Sequence, residues 1–190
     1  ARFGWEWVVL PPLVMVTALL ALSVIDLHVY RLPDRLTFPA LLSSFVVMIP
    51  ATIALERPSA LTKAVGGMLI YFVVLLVAHL ISPRGMGFGD VKLSLLLGLH
   101  LGWAAGSVYV GWATVFRFVF YALLTASLFG VIGGVVVALL RRFLARDLLT
   151  DPEADGGQPT RLLGQSFPFG PALAAGTVVV VMFADTFAAG

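Results

Sequence analysis

The chain has 190 residues, 60% of them apolar or aromatic (the AVILMFWYC set) and only 12% charged. Soluble domains carry about 25% charged residues, so too few polar side chains exist to cover a soluble globule, and so apolar a chain is not intrinsically disordered. The absence of cysteine excludes a disulfide framework, a thiolate nucleophile and a Cys-based zinc site. A net charge of +2, with Lys and Arg spread along the chain, leaves no basic stripe for a nucleic acid. The composition is that of an all-α, polytopic integral membrane protein.

A hydrocarbon core of ~30 Å needs about 20 apolar residues per helix. Six stretches qualify in chain order: 7–25, 36–55, 64–81, 91–112, 115–140 and 167–183. Their separators carry turn residues, among them Arg31-Leu32-Pro33-Asp34, Glu56-Arg57-Pro58 and Ser82-Pro83-Arg84-Gly85. Period-2 alternation is missing, which argues against a transmembrane barrel. The first stretch has only Arg2 as a basic start and five more spans follow, so it reads as a retained helix rather than a secretory signal.

Lys and Arg between the spans fix an expected orientation. Arg31, Arg35, Arg84, Lys92, Arg141, Arg142, Arg146 and Arg161 fall on one side; Arg2, Arg57, Lys63 and Arg117 fall on the other. The richer side is expected in the cytoplasm, with both termini outside. Residues 141–166 then form a cytoplasmic polar loop within a single domain covering residues 1–190. Gly98, Gly102 and Gly106, and also Gly130 and Gly134, recur four apart, the pattern that lets helix backbones approach closely in lipid. Arg117 is expected at the outer interface, its stem snorkelling.

Ionisable groups at membrane depth are costly and point to function. Asp26 ends the first span in Val24-Ile25-Asp26-Leu27-His28, where the helix dipole disfavours a carboxylate. Asp90 opens the fourth span in Gly85-Met86-Gly87-Phe88-Gly89-Asp90-Val91-Lys92, where the dipole favours one. Asp90 could be a simple N-cap, but a cap needs no alternating glycines. These supply positive φ or admit a second backbone. Two carboxylates on one side of the membrane under opposed electrostatic pressures suit an acid/base pair. Asp34 reads as a turn or capping residue of the second helix, with a substrate contact as the alternative. Lys92 reads as a snorkelling cation or a partner of Asp90.

Other chemistries fit less well. The alternating glycines follow a membrane span and not a strand, so they are no dinucleotide fingerprint. His28, His79 and His100 are isolated, and no metal site is expected. Ser23, Ser43, Ser44 and Ser94 lack a histidine partner at their depth, which weighs against a serine protease.

Taken together, Ile25-Asp26-Leu27 followed by Arg31-Leu32-Pro33-Asp34-Arg35-Leu36-Thr37 resembles the first catalytic segment of the type IV prepilin peptidases. Gly85-Met86-Gly87-Phe88-Gly89-Asp90-Val91-Lys92-Leu93 is similar to their second, the GxGD segment shared in outline with presenilin-type aspartyl proteases. Phe167-Pro168-Phe169-Gly170-Pro171 resembles a further segment opening the last helix. The resemblance implies a GxGD aspartyl protease-like bundle with Asp26 and Asp90 as catalytic residues and no cofactor. Its substrates would be prepilin or pseudopilin precursors, cut after a Gly and before an apolar segment, at the cytoplasmic face of a bacterial inner membrane. Without cysteines, the chain resembles the short, peptidase-only forms of the family. From residue chemistry, Gly85, Gly87, Phe88 and Gly89 are expected to receive an extended substrate backbone, with Asp34 and Lys92 as further contacts. A proton-coupled transporter is the rival reading, but Asp26-Leu27 and Gly89-Asp90 have no counterparts in residues 96–190, as repeated halves would require. A purely structural membrane subunit leaves the two costly acids unexplained.

Overall fold

The structure is a computed structural model. It describes the backbone of residues 4–29, 34–83, 86–108, 111–148 and 169–189, and the side chains of 8–25, 35–83, 86–108, 111–139, 142–143 and 169–186. These residues form seven helices: α1 (Gly4–Val29), α2 (Asp34–Ala54), α3 (Ser59–Ile81), α4 (Phe88–Val108), α5 (Ala113–Leu148), α6 (Gly170–Met182) and α7 (Ala184–Ala189). Helices α1 to α5 are each long and apolar enough to cross a membrane, so the protein is a multi-pass helical bundle.

Three expectations are corrected. The sixth apolar stretch gives a helix of 13 residues, α6, interrupted at Phe183 before the short α7. At 1.5 Å per residue α6 spans about 20 Å, less than the hydrocarbon core; its start is set by Pro171, which suits a first helical turn. The loop expected from residue 141 begins instead as helix: α5 runs 36 residues to Leu148, because Arg141–Leu148 is rich in Arg, Leu and Ala and free of Gly and Pro. The rest of that loop, residues 149–166, lies outside the described residues. Finally, Trp112 is not in the fourth span but in the turn before α5, where its indole covers Gly66.

The bundle is organised around α4. In its spanning window 78% of residues are buried, against 11–28% in the other four spans, although it is the least apolar of the five. A helix surrounded by protein need not match the lipid, whereas the outer helices turn faces such as Leu69, Val73, Val77 and Leu80 outward. What lets α4 sit there is lack of side chains. Gly67 meets Gly98, a Cβ on Gly102 would strike the Lys63 carbonyl, and one on Gly106 would lie 2.6 Å from the Ala60 Cα. The antiparallel helices α3 and α4 thus touch backbone to backbone along three successive turns. Gly176 makes a second close approach, between α6 and α5, where a Cβ would lie 2.6 Å from the Ala126 nitrogen. Gly130 is covered by the Phe169 ring, but among the described residues nothing stands within 4 Å of Gly134. The packing role expected for Gly134 is therefore not met.

Polar contacts fix the end of the bundle where α2 meets α3. Trp103 donates its indole N–H to Thr52 Oγ1 at 3.0 Å, and Arg57 donates to the Val108 carbonyl at 3.1 Å, occupying an orphan acceptor at the end of α4. Glu56 takes a left-handed conformation (φ 54°), with Arg57 N–H bonded to the Thr52 carbonyl and Glu56 N–H to that of Ile53. This Schellman cap closes α2.

The contrast among the glycines is testable. Gly102→Ala should destabilise the protein by about 1–3 kcal/mol through overpacking against backbone. Gly134→Ala should be neutral or gain up to about 1 kcal/mol of helix propensity. Thermal unfolding in detergent would show the two midpoints moving apart; equal shifts would contradict the packing described.

Candidate active site

Short connections between α1 and α2, α2 and α3, and α3 and α4 make these helices alternate in direction. The C-terminal end of α1, the N-terminal end of α2, the C-terminal end of α3 and the N-terminal end of α4 therefore lie at one end of the bundle. The His100 ring of α4, close to the Pro11 carbonyl of α1, gives a common level. From there residue 26 is about 22 Å along α1 and residue 90 about 15 Å along α4, toward the same end.

The interior stripes of the helices run into this end. Pro11, Met15, Leu19 and Leu22 are the buried positions of α1, and residue 26 is the next position in that register. On α2 the stripe Ala51, Met48, Ser44 and Thr37 continues to residue 34. On α3 the buried series Ala60, Ala64, Gly67, Tyr71 and Leu75 continues to His79. The backbone of Asp26 lies in the last turn of α1 and that of Asp34 opens α2; their side chains lie outside the described residues.

Asp90 is described in full. It is buried, with 8% of its surface exposed, and it is the third residue of α4 rather than its N-cap, which corrects the capping reading. Its N–H bonds to the Gly87 carbonyl at 3.1 Å. The carboxylate folds back over the same residue, with Oδ2 3.8 Å from where a Gly87 Cβ would stand. Gly87 does not have a left-handed φ and an added methyl would make only ordinary contacts. Its small size is thus not required by its conformation, one of the two reasons offered for these glycines. Gly89 is the second residue of α4 and half-buried; Gly85 lies outside the described residues.

Phe88 stands half-exposed at the mouth of this turn. Its ring centroid is 5.6 Å from that of His79, and Lys92 Nζ lies 5.4 Å above it in a cation–π contact. Lys92 is therefore not simply a snorkelling cation. His79 donates from Nδ1 to the Met86 carbonyl at 2.9 Å. Sequence reasoning treated His79 as isolated; the signal available was its place one turn beyond the stripe that ends at Leu75. The described part of the site is thus a buried carboxylate next to an exposed glycine, beside an aromatic ring that meets an imidazole and an ammonium group. An exposed glycine turn of this kind can admit a peptide backbone and present a carboxylate to it.

Comparison with known proteins supplies the class. The family model described as the type IV leader peptidase family matches residues 13–135, from α1 into α5. Curated relatives with the name prepilin leader peptidase/N-methyltransferase include those of Burkholderia pseudomallei (29% identity, 98% of this chain and 50% of the relative), Pseudomonas aeruginosa (30%, 97% and 53%) and Xanthomonas campestris (36%, 53% and 35%). The chain spans about half the length of the curated relatives it matches or less. No solved structure matches it. With the family match covering well over half of its residues, and its span including both Asp26 and Asp90, this multi-pass helical chain belongs to the type IV leader peptidase family.

Proposed function

We propose that this chain is an aspartic endopeptidase that removes the basic leader of prepilin or pseudopilin precursors, with Asp26 and Asp90 as the catalytic pair. The observation that carries the reading is the burial of Asp90 beside an exposed Gly87, at the bundle end where residue 26 continues the interior stripe of α1. The names of the relatives point to the same substrate class. The proposal concerns peptide cleavage alone.

Two carboxylates near one another do not ionise together readily and titrate as a coupled pair. One proton shared between Asp26 and Asp90 leaves one carboxylate to take a proton from water and one carboxyl to polarise the scissile carbonyl. The water oxygen bonds to the carbonyl carbon. The protonated acid then passes its proton to the leaving nitrogen as the C–N bond breaks, and the pair is restored. The substrate must be extended at the cut, since a helix occupies its own amides. Gly87 and Gly89 leave room for that extended strand, and Phe88 packs on it, with Asp34, Lys92 and Gly85 as further contacts.

The site end faces the cytoplasm in this reading, at the bacterial inner membrane. The bias of Lys and Arg supports it, and it grows once Lys63, buried against α4, is removed from the outer loop charges.

Asp26→Asn and Asp90→Asn should each lower leader cleavage at least about 100-fold, with unchanged membrane insertion; mass analysis of the precursor after incubation with purified protein is the assay, and turnover near wild type by either variant defeats the pair. Gly87→Ala tests the strand site separately. The methyl fits the resting turn, so the thermal midpoint should hold while cleavage falls severalfold; unimpaired cleavage would exclude a substrate backbone at Gly87. The native chain has no cysteine, so orientation can be read by single-cysteine labelling. Ser82→Cys should react with a membrane-impermeant maleimide only from the cytoplasmic side and Pro58→Cys only from the outside, and the reverse pattern would overturn the orientation.

A further inference from the structure

The turn that carries Asp90 is held in part by its own contacts, with Met86 packed against the core and the Asp90 N–H bonded to the Gly87 carbonyl. Gly87 is exposed and Phe88 half-exposed, and glycine gives the backbone the widest conformational freedom of any residue. A side chain from outside the turn reaches its backbone. His79, two residues before the end of α3, donates from Nδ1 to the Met86 carbonyl at 2.9 Å, and its ring lies 5.6 Å from that of Phe88. The carbonyl so held belongs to the peptide that joins Met86 to Gly87, and the next carbonyl, that of Gly87, accepts the Asp90 N–H at 3.1 Å. An unbroken path of three groups therefore runs from the imidazole to the backbone of the acid.

The origin of that path is rigid. His79 stands one turn beyond Leu75 on the stripe by which α3 meets α4 through Gly67 and Gly98. A carbonyl can only accept, so the bond fixes the proton on Nδ1. We infer that His79 is a positioning residue for Asp90, transmitting the fixed α3–α4 register to the turn and so to the level and direction of the carboxylate. The inference rests on the peptidase reading above. It gives His79 no contact with substrate; its effect falls on the chemical step, where small displacements of an aligned group are costly in rate.

Asparagine places an amide nitrogen at the same distance from its Cα as His Nδ1, whereas glutamine carries it one bond further out and alanine has none. Full-length protein in detergent would be given a precursor with a basic leader followed by an apolar segment, and kcat and KM measured for wild type, His79→Asn, His79→Gln and His79→Ala. His79→Asn should keep kcat within about twofold. His79→Gln and His79→Ala should lower it about five- to tenfold, the worth of one hydrogen bond, with KM within twofold and the thermal midpoint unchanged. Wild-type kcat in His79→Ala overturns the inference. So does an equal loss in His79→Asn and His79→Gln, or a loss that follows the thermal midpoint. Should His79→Ala not fold, the Asn and Gln pair decides by the same criteria. A wild-type protein that cuts no precursor sinks the peptidase reading and this inference with it, whereas an active wild type with a fully active His79→Gln removes only the role of His79.

Discussion

The contact on which the rest depends is the meeting of α3 and α4 backbones at Gly67, Gly98, Gly102 and Gly106. Inside a bilayer no hydrophobic force drives helices together, because lipid tails are as apolar as leucine; close packing has to do it. Removing side chains from both partners along three turns gives that packing and also a register, since Ala60, Ala64 and Gly67 fall opposite Gly106, Gly102 and Gly98. The same register carried onward brings His79 level with Met86, where a hydrogen bond joins them. The position of the turn before α4 is thus a consequence of glycines about 15–27 Å away along the helix axis.

Enclosure of α4 has a chemical consequence. A helix that sees lipid can carry few polar groups, but α4 carries Asp90, Ser94, His100 and Ser107. Three of these return hydrogen bonds to their own backbone: Ser94 to the Val91 carbonyl at 2.6 Å, His100 to that of Leu96 at 2.9 Å and Ser107 to that of Ala104 at 2.8 Å. Satisfied locally, the two serines make no demand on neighbouring helices. Asp90 differs, since its carboxylate stands in the first turn, where intrahelical carbonyls are behind it and the backbone N–H groups lack partners of their own.

Much of this could be read from the chain before its structure, and the failures share a cause. Five spans, the three glycines of α4 and the costly placement of Asp90 follow from composition, spacing and the cost of a buried acid, which are properties of one segment at a time. Whatever depends on a partner was hidden. Gly98 and Gly134 look alike in sequence, but among the described residues one faces Gly67 and the other faces nothing within 4 Å. Gly67 and Gly176 escaped notice because their partners are small residues on other helices, Gly98 and Gly102 for one and Ala122 and Ala126 for the other. The centrality of α4 was also hidden, since hydropathy alone ranks it as the weakest span. The hydrogen bond from His79 to the Met86 carbonyl crosses from α3 to the turn before α4, and the stripe within α3 shows only the side on which His79 lies.

The two acids reach the same end of the bundle by different means. Asp90 is tied through Gly87, Met86 and His79 to a helix pair whose backbones touch, so its level follows from that contact. Asp26 belongs to α1, whose stripe of Met15, Leu19 and Leu22 meets the core through side chains. Interlocked side chains hold a helix by many weak contacts, and they permit small shifts that a backbone-to-backbone contact does not. In the proposed mechanism the two carboxylates hold one proton and one water between them, so the spacing of α1 and α4 at this end of the bundle decides whether they can act as a pair. The backbone contacts of α3 and α4 set one side of that spacing, and the side-chain contacts of α1 set the other.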